Sequence, residues 1–526
     1  MEDDYKQAKE AFVSDMTGST LTHTNLISLV ALFSIALYSA LATRLSQSKS
    51  INFLTAWSIL VLPLLLSMSI FANSPVFLSI LLLIPTGFLL SLARRESGTP
   101  LPSPSSPRQS SFPPTQPQIT PLPALTVYRA HMMLMTILAI LAVDFPVFPR
   151  SLVKCETFGV SLMDLGVGSF VFSQGIVSAI PLLKDPAYLN APIVPKLFSV
   201  TRKTLPIIFI GLVRVLLVKG TEYPEHVSEY GVHWNFFITL ALLPVMQVSL
   251  HPLIARIPLS LLGILVAIAQ QMALSYMGLY DFVLNAPRTN IISANKEGIV
   301  SLTGYLAIHL FGLSTGTLIL PPSPKFFRRR QKAQARSVKR RNSDSGEDRR
   351  NSLSDPRQND KTATELCAYA VVWWCVLGLT TLFGMGGDAI SRRMVNLTYI
   401  LWMVAFNTSF ILGYFLLDLY FYPSSTAKKI GHPSPVKLNP PSDHTRSGMH
   451  QMTPQRHLEN PPPLLEAINK NSLVLFLVAN VATGLINLTF RTMYASDFTA
   501  MYVLGLYSFG LSLSAWMLRK TRLLRL

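Results

Sequence analysis

Cysteine is nearly absent. The 526 residues hold three, Cys155, Cys367 and Cys375. They form no CxxC pair and no His/Cys spacing of a zinc site, so neither a disulfide framework nor a bound metal is implied. Cys367 and Cys375 share one apolar run and read as packing residues. Charge is scarce as well. Only 14% of residues are charged, where a soluble chain carries roughly a quarter. A conventional soluble domain is excluded on that ground. The opening MEDDYKQAKEAF is acidic and amphipathic and lacks the basic start of a cleavable leader. No internal repeat is visible.

What is abundant is apolar. Half the residues are hydrophobic, and the mean hydropathy is +0.38. Long apolar runs alternate with short polar turns, the pattern of an all-α, polytopic helical membrane protein. Candidate spans fall at 25–44, 54–72, 75–93, 131–148, 160–181, 204–219, 234–250, 253–280, 298–317, 366–386, 394–420, 472–490 and 497–518. That is about thirteen transmembrane helices, each long enough to cross the hydrocarbon core.

The net charge of +18 is concentrated in inter-span loops, which points to membrane orientation and not to a nucleic-acid partner. With an odd span count, Arg44, Lys49, Arg94, Arg95, Lys184, Lys196, Arg202, Lys203 and the basic tail (Arg519, Lys520, Arg522, Arg525) fall on one side. The positive-inside rule makes that side cytosolic. The N-terminus and the acidic turn 221–235 are then luminal. The expected organisation is a luminal amphipathic N-terminus (1–24), one transmembrane domain (25–520) and a basic cytosolic tail (519–526). Loops 97–123, 321–362 and 422–463 are Pro/Ser-rich or highly charged and read as disordered cytosolic insertions. RRNS occurs twice, ending at Ser343 and Ser352, and fits a basophilic kinase.

Ionisable groups at membrane depth are costly and usually mark function. Residues 141–172, LAVDFPVFPRSLVKCETFGVSLMDLGVGSFVF, carry Asp144, Arg150, Lys154, Glu156 and Asp164 in two spans and the turn between them. Asp144 admits two readings: an ion pair with Lys154 or Arg150 that holds a helix end, or a general base. Lys154 is either an interfacial anchor or a cation for a developing oxyanion. A second cluster, 222–237, sets Glu222, Glu225, His226, Glu229, His233, Trp234 and Asn235 beside tyrosines. It reads as an interfacial aromatic belt or as a headgroup and sugar site. Its histidines lack HExxH spacing, so no metal is expected. A third cluster gathers Asn295, Lys296 and Glu297 ahead of a span, with Ser293 as a cap. His309 reads as a hydrogen-bonded packing histidine. Asn396 and Asn487 open N-L-T triplets too close to span ends to be good glycan acceptors.

Several stretches together resemble one family, the fungal GPI-anchored wall protein transfer proteins and their animal relatives of phosphatidylinositol-glycan class W. The stretches are KEAFVSDMTGS (9–19), YRAHMMLMTILAILAVDFPVFPR (128–150), VKCETFGVSLMDLGVGSFVFSQGIVS (153–178), EHVSEYGVHWNFFITLALLP (225–244), SANKEGIVSLTGY (293–305), RRMVNLTYILW (392–402) and LFLVANVATGLINL (475–488). The resemblance implies an inositol acyltransferase of the endoplasmic reticulum membrane. Such an enzyme moves a fatty acyl chain, typically palmitoyl, from acyl-CoA to the inositol 2-hydroxyl of glucosaminyl-phosphatidylinositol. Acyl-CoA would be a co-substrate, with no bound cofactor and no metal. The family is also a target of antifungals that block GPI assembly.

That chemistry needs a base for the hydroxyl and an electrostatic partner for the thioester oxygen. Asp144 is the expected base, with Lys154 orienting it or meeting the oxyanion. Asp164, His233 and Asn235 are expected as relay or inositol contacts, and Arg129 and Arg150 as phosphate donors. Glu156, His226, Glu229, Trp234, Asn295 and Glu297 complete the candidate set. His233 is the rival base. A proton-coupled secondary transporter is the alternative function, since many spans with buried carboxylates also suit transport.

Overall fold

The computed structural model describes residues 8, 9, 11, 12, 14, 16–44, 51–94, 119, 121–219, 227–339, 357–385, 389–423 and 461–523. Among these residues the chain is helical, and its only bridges join Gly18 and Ser19 to Val160. Nine helices among the described residues are long and apolar enough to cross a membrane. They are α1 (Leu21–Arg44), α4 (Pro123–Ala142), α5 (Leu162–Lys184), α8 (Leu259–Tyr276), α9 (Lys296–Ile319), α11 (Asn359–Leu382), α12 (Leu397–Phe421), α13 (Ser472–Thr489) and α14 (Asp497–Met517). Three shorter apolar helices are α2 (Phe53–Ser67), α3 (Pro75–Ser91) and α7 (Phe236–Ser249). The more charged α6 (Ile193–Lys219) lies between α5 and α7. The expected spans overlap these helices, but among the described residues nine, not thirteen, are long and apolar enough to cross a membrane; the protein is a multi-pass membrane protein.

The helices begin where their caps allow. Ser161 accepts from Asp164 N to start α5, Asn235 from Phe237 N and Ile238 N to start α7, and Asn396 from Tyr399 N to start α12. The central pair is α5 and α9. A Cβ added at Gly175 would overlap the His309 carbonyl, and one at Gly312 the Phe172 carbonyl, so two backbones touch where only glycine fits. Nearly all of α9 is buried, as its apolar composition all round requires. In contrast, Phe77, Ile84 and Phe88 of α3 point outward, toward what would be lipid.

The bundle has two ends. At one, the turns near 143–161, 231–235 and 389–396 meet: Gly159 N donates to Ile390 O (2.8 Å) and Val232 N to Ala294 O (2.9 Å). At the other, Arg94 reaches Phe421 O (2.9 Å) and Lys470 reaches Arg519 O (3.0 Å). The N-terminal segment sits at the first end and residues 518–523 at the second.

Two expectations change. Part of the 321–362 loop is a helix, α10 (Phe326–Lys339). Phe326 and Phe327 are buried, and Arg330 and Gln331 cap the carbonyls of Leu183 and Ile254, contacts that a charge count does not reveal. Cys367 and Cys375 are exposed on α11, not packed. A helix, Pro463–Lys470, follows the 422–463 loop. Ser343 and Ser352 lie outside the described residues, as do Glu222, Glu225 and His226.

Candidate functional site

One cavity of about 2020 Å³ runs through the bundle. Its wall includes α4 from Arg129 through Thr136 and Ile140 to Asp144. From Arg129 to the end of α4 at Ala142 the helix rises about 20 Å, so the cavity spans most of a hydrocarbon core. Between its ends the lining is largely apolar, with Met132, Met135, Val167, Phe170, Phe406 and Leu473.

At the first end the polar groups converge. Asp144, 2% exposed, follows the end of α4. Its Oδ2 accepts from Asn487 Nδ2 at 2.8 Å, and its Oδ1 lies 3.4 Å from Lys9 Nζ. Lys9 also donates to Asn487 Oδ1 at 2.8 Å. The cation beside Asp144 is therefore Lys9, not Lys154 or Arg150. Lys154 instead pairs with Glu229 at 2.8 Å, held on the short helix Val227–Tyr230. Arg150 spends its guanidinium on the carbonyls of Val143, Phe145 and Phe148 and stacks on Phe12 at 4.0 Å. It ties off the Pro146–Pro149 turn, and burial lowers its pKa to about 10 despite the nearby Asp144 charge. A guanidinium so engaged is not available as a phosphate donor.

Asp164 lies behind this surface, with no exposure. It accepts from Arg392 Nε (2.5 Å), Cys155 N (3.0 Å) and Ser161 Oγ (2.8 Å). Burial lowers the Arg392 guanidinium, but the charges of Asp164 and Glu229 outweigh it and hold the pKa well above its ordinary value. Burial, with Asp164 close by, pushes the Cys155 thiol up. Arg392 lines the cavity and sits 3.9 Å from Glu229. The two ion pairs are thus linked, Lys154–Glu229–Arg392–Asp164.

The cavity brings together Asp144, Lys154, Glu156, Glu229, Trp234, Asn235 and, at the far end, Arg129. It leaves others out. Asp164 acts through Arg392. His233 is exposed and engages Asn295 by its backbone N–H, so its ring does not serve as the rival base within the cavity. Asn295 receives that bond and holds Ile291 O. Glu297 is clamped by Arg288 (2.6 Å) and Arg393 (3.0 Å) away from the cavity. Both shape the end of the bundle. Trp234 donates to Thr239 Oγ1, and Asn235 also holds Gly211 O. His309 is buried against Gln247, as expected of a packing histidine. Among the described residues no cluster of three or more His, Cys, Asp or Glu has the geometry of a metal site.

Three contributors escaped the sequence reading: Lys9, Asn487 and Arg392. Each lies in a stretch that carried the family resemblance, 9–19, 475–488 and 392–402. In the sequence Asn487 stands out only as the first residue of an N-L-T triplet.

A second cavity of about 1020 Å³ shares Arg129 with the first and is lined by Arg357, Asp418, Lys470 and Arg522. It gives the far end a basic mouth. Lys203 lines the main cavity, whereas Arg202 is exposed and does not.

A family model described as GWT1 matches residues 5–518. The GPI-anchored wall transfer protein 1 of Cryptococcus neoformans var. grubii is 36% identical over 99% of this chain and 99% of its own. That of Gibberella zeae is 36% identical over 97% of this chain and 96% of its own. That of Saccharomyces cerevisiae is 33% identical over 99% of both.

Proposed function

The chain belongs to the GWT1 family, and from that premise we propose that it is a membrane-bound acyltransferase acting on inositol in GPI precursors. The family carries a role in GPI biosynthesis. The finer reading is transfer of a fatty acyl chain, palmitoyl in the first instance, from acyl-CoA to the inositol 2-hydroxyl of glucosaminyl-phosphatidylinositol. The setting is the endoplasmic reticulum membrane, with the Asp144 end luminal.

The observation that carries this reading is the through-running cavity. An acyl donor made in the cytosol needs a route to a base at the opposite face. An apolar passage with charges only at its two ends supports such a route: the donor's phosphates stay at the basic mouth around Arg129, its pantetheine arm runs along the passage to bring the thioester to Asp144, and the acyl chain folds back against the Met and Phe walls.

In the transfer, Asp144 takes the proton of the inositol hydroxyl as its oxygen bonds to the acyl carbon. The carbon–sulfur bond breaks, and the proton passes to the departing CoA sulfur, leaving an ester and a thiol. Lys154, at the same end of the cavity, meets the charge that develops on the thioester oxygen. Trp234 and Asn235 form the wall against which a polyol ring would lie.

The test is turnover in detergent. Purified protein with labelled palmitoyl-CoA and glucosaminyl-phosphatidylinositol is expected to form acyl-inositol lipid, and Asp144→Asn to lose at least a hundredfold in kcat. A folded protein that makes no product in the absence of any gradient would favour transport instead.

A further inference from the structure

Nothing in the chemistry above explains why the N-terminal segment is fastened across the charged end. It is held at several points. The Phe12 ring covers the Arg150 guanidinium at 4.0 Å. Met16 O accepts from Glu156 N at 3.3 Å, and Ser19 N donates to Val160 O at 2.6 Å. Gly18 (φ 82°) and Gly159 (φ 135°) permit that crossing, since a Cβ on either would strike the other strand's backbone. The effect of this fastening is to deliver one side chain, Lys9, into the cavity wall beside Asp144.

The Lys9–Asn487–Asp144 arrangement is directional. Asn487 accepts from the ammonium through its Oδ1 and donates to the carboxylate through its Nδ2. Turning the amide over would set its N–H groups against the cation and its oxygen against the anion, so the two charges fix its orientation. Asn487 is itself anchored by donation to Thr483 O (3.1 Å) and acceptance from Thr492 Oγ1 (3.1 Å). Among the described residues each Asp144 oxygen has one partner and retains acceptor capacity for a substrate hydroxyl. Asp164, another buried carboxylate at this end, has three donors and does not face the cavity. The contrast separates a carboxylate kept for chemistry from one used for structure.

We propose that Lys9 is a positioning residue of the reaction, brought in by the N-terminal segment to hold the Asp144 carboxylate with Asn487 in the geometry that accepts the hydroxyl proton. This inference rests on the reading of Asp144 as the base. It assigns to Lys9 the orienting role expected of Lys154, and leaves Lys154 for the oxyanion.

The test uses the full-length protein in detergent with both substrates, comparing Lys9→Met, Lys9→Arg and Asp144→Asn with wild type. Lys9→Met is expected to lower kcat by about a hundredfold, the scale of a misplaced catalytic group. KM for both substrates should stay within roughly twofold, because Lys9 binds neither ground state. Lys9→Arg, which keeps the charge, should recover a tenfold or greater part of the loss with an unfolding midpoint near wild type, whereas Lys9→Met, which leaves the buried Asp144 without its cation, should unfold at a lower midpoint yet stay folded under assay conditions. Wild-type turnover in Lys9→Met while Asp144→Asn is inactive would overturn the inference and leave Asp144 as the base. Loss of activity that tracks a fallen midpoint, with no recovery in Lys9→Arg, would make Lys9 a structural residue and equally overturn it. Full activity in Asp144→Asn would overturn both readings at once.

Discussion

Asp164 and Arg392 meet at 2.5 Å with almost no exposure on either side chain. A buried pair stripped of one partner leaves a charge that nothing compensates, at a cost of about 3–5 kcal/mol. Arg392→Met is therefore expected to destabilise the protein by that amount, read as a lowered midpoint of denaturant unfolding in detergent. The double variant Asp164→Asn, Arg392→Met should regain part of the loss, because no unpaired charge remains. The sequence places Asp164 in a span as a relay or inositol contact and names no partner for it. Partner choice was the part that local reading could not reach. Lys154 and Arg150 were the nearest cations to Asp144 along the chain, and proximity in sequence favoured them. The structure pairs Asp144 with Lys9 and Asp164 with Arg392, because helices return to the same end of the bundle many residues later. Periodicity and charge counts carry no record of which ends meet.

At the level of elements, spans were legible because a helix in lipid must satisfy its own backbone and so needs an uninterrupted apolar run. Junctions were less so. Where the turn Pro186–Leu189 and α6 meet the short helix His251–Ile254, Lys196 donates to the carbonyls of Tyr188 and Leu189 and lies 3.2 Å from His251 Nδ1. Burial, reinforced by the Lys196 charge, lowers the His251 pKa to about 4, against an ordinary value near 6.5. Folding thus favours the neutral ring. The stability it contributes is full above about pH 6.5 and is lost as the pH falls toward 4. The unfolding temperature of wild type is expected to drop between pH 7.5 and 5.0 by more than that of His251→Gln. Equal drops in the two proteins would remove His251 from the account of acid sensitivity.

For the whole molecule, the N-terminal segment and the C-terminal residues lie at opposite ends of the bundle, and one cavity joins those ends. Loop charge anticipated the first of these facts. No sequence signal anticipated the second, since a passage is made by what several helices jointly leave empty. With the basic mouth in the cytosol, a tag after residue 526 should be digested by protease added to sealed microsomes, while a tag before residue 1 should survive until detergent is added. The reverse pattern would invert the membrane orientation and place the donor's entry in the lumen.

The contact between Lys9 and Asn487 also has a meaning in time. The two residues are 478 positions apart, and a ribosome adding about 5–20 residues per second needs roughly half a minute to a minute and a half to make the second after the first. Until α13 has been inserted, Asp144 and Lys9 lack the amide that bridges them. A nascent chain that has not yet inserted α13 thus holds both charges and no finished site.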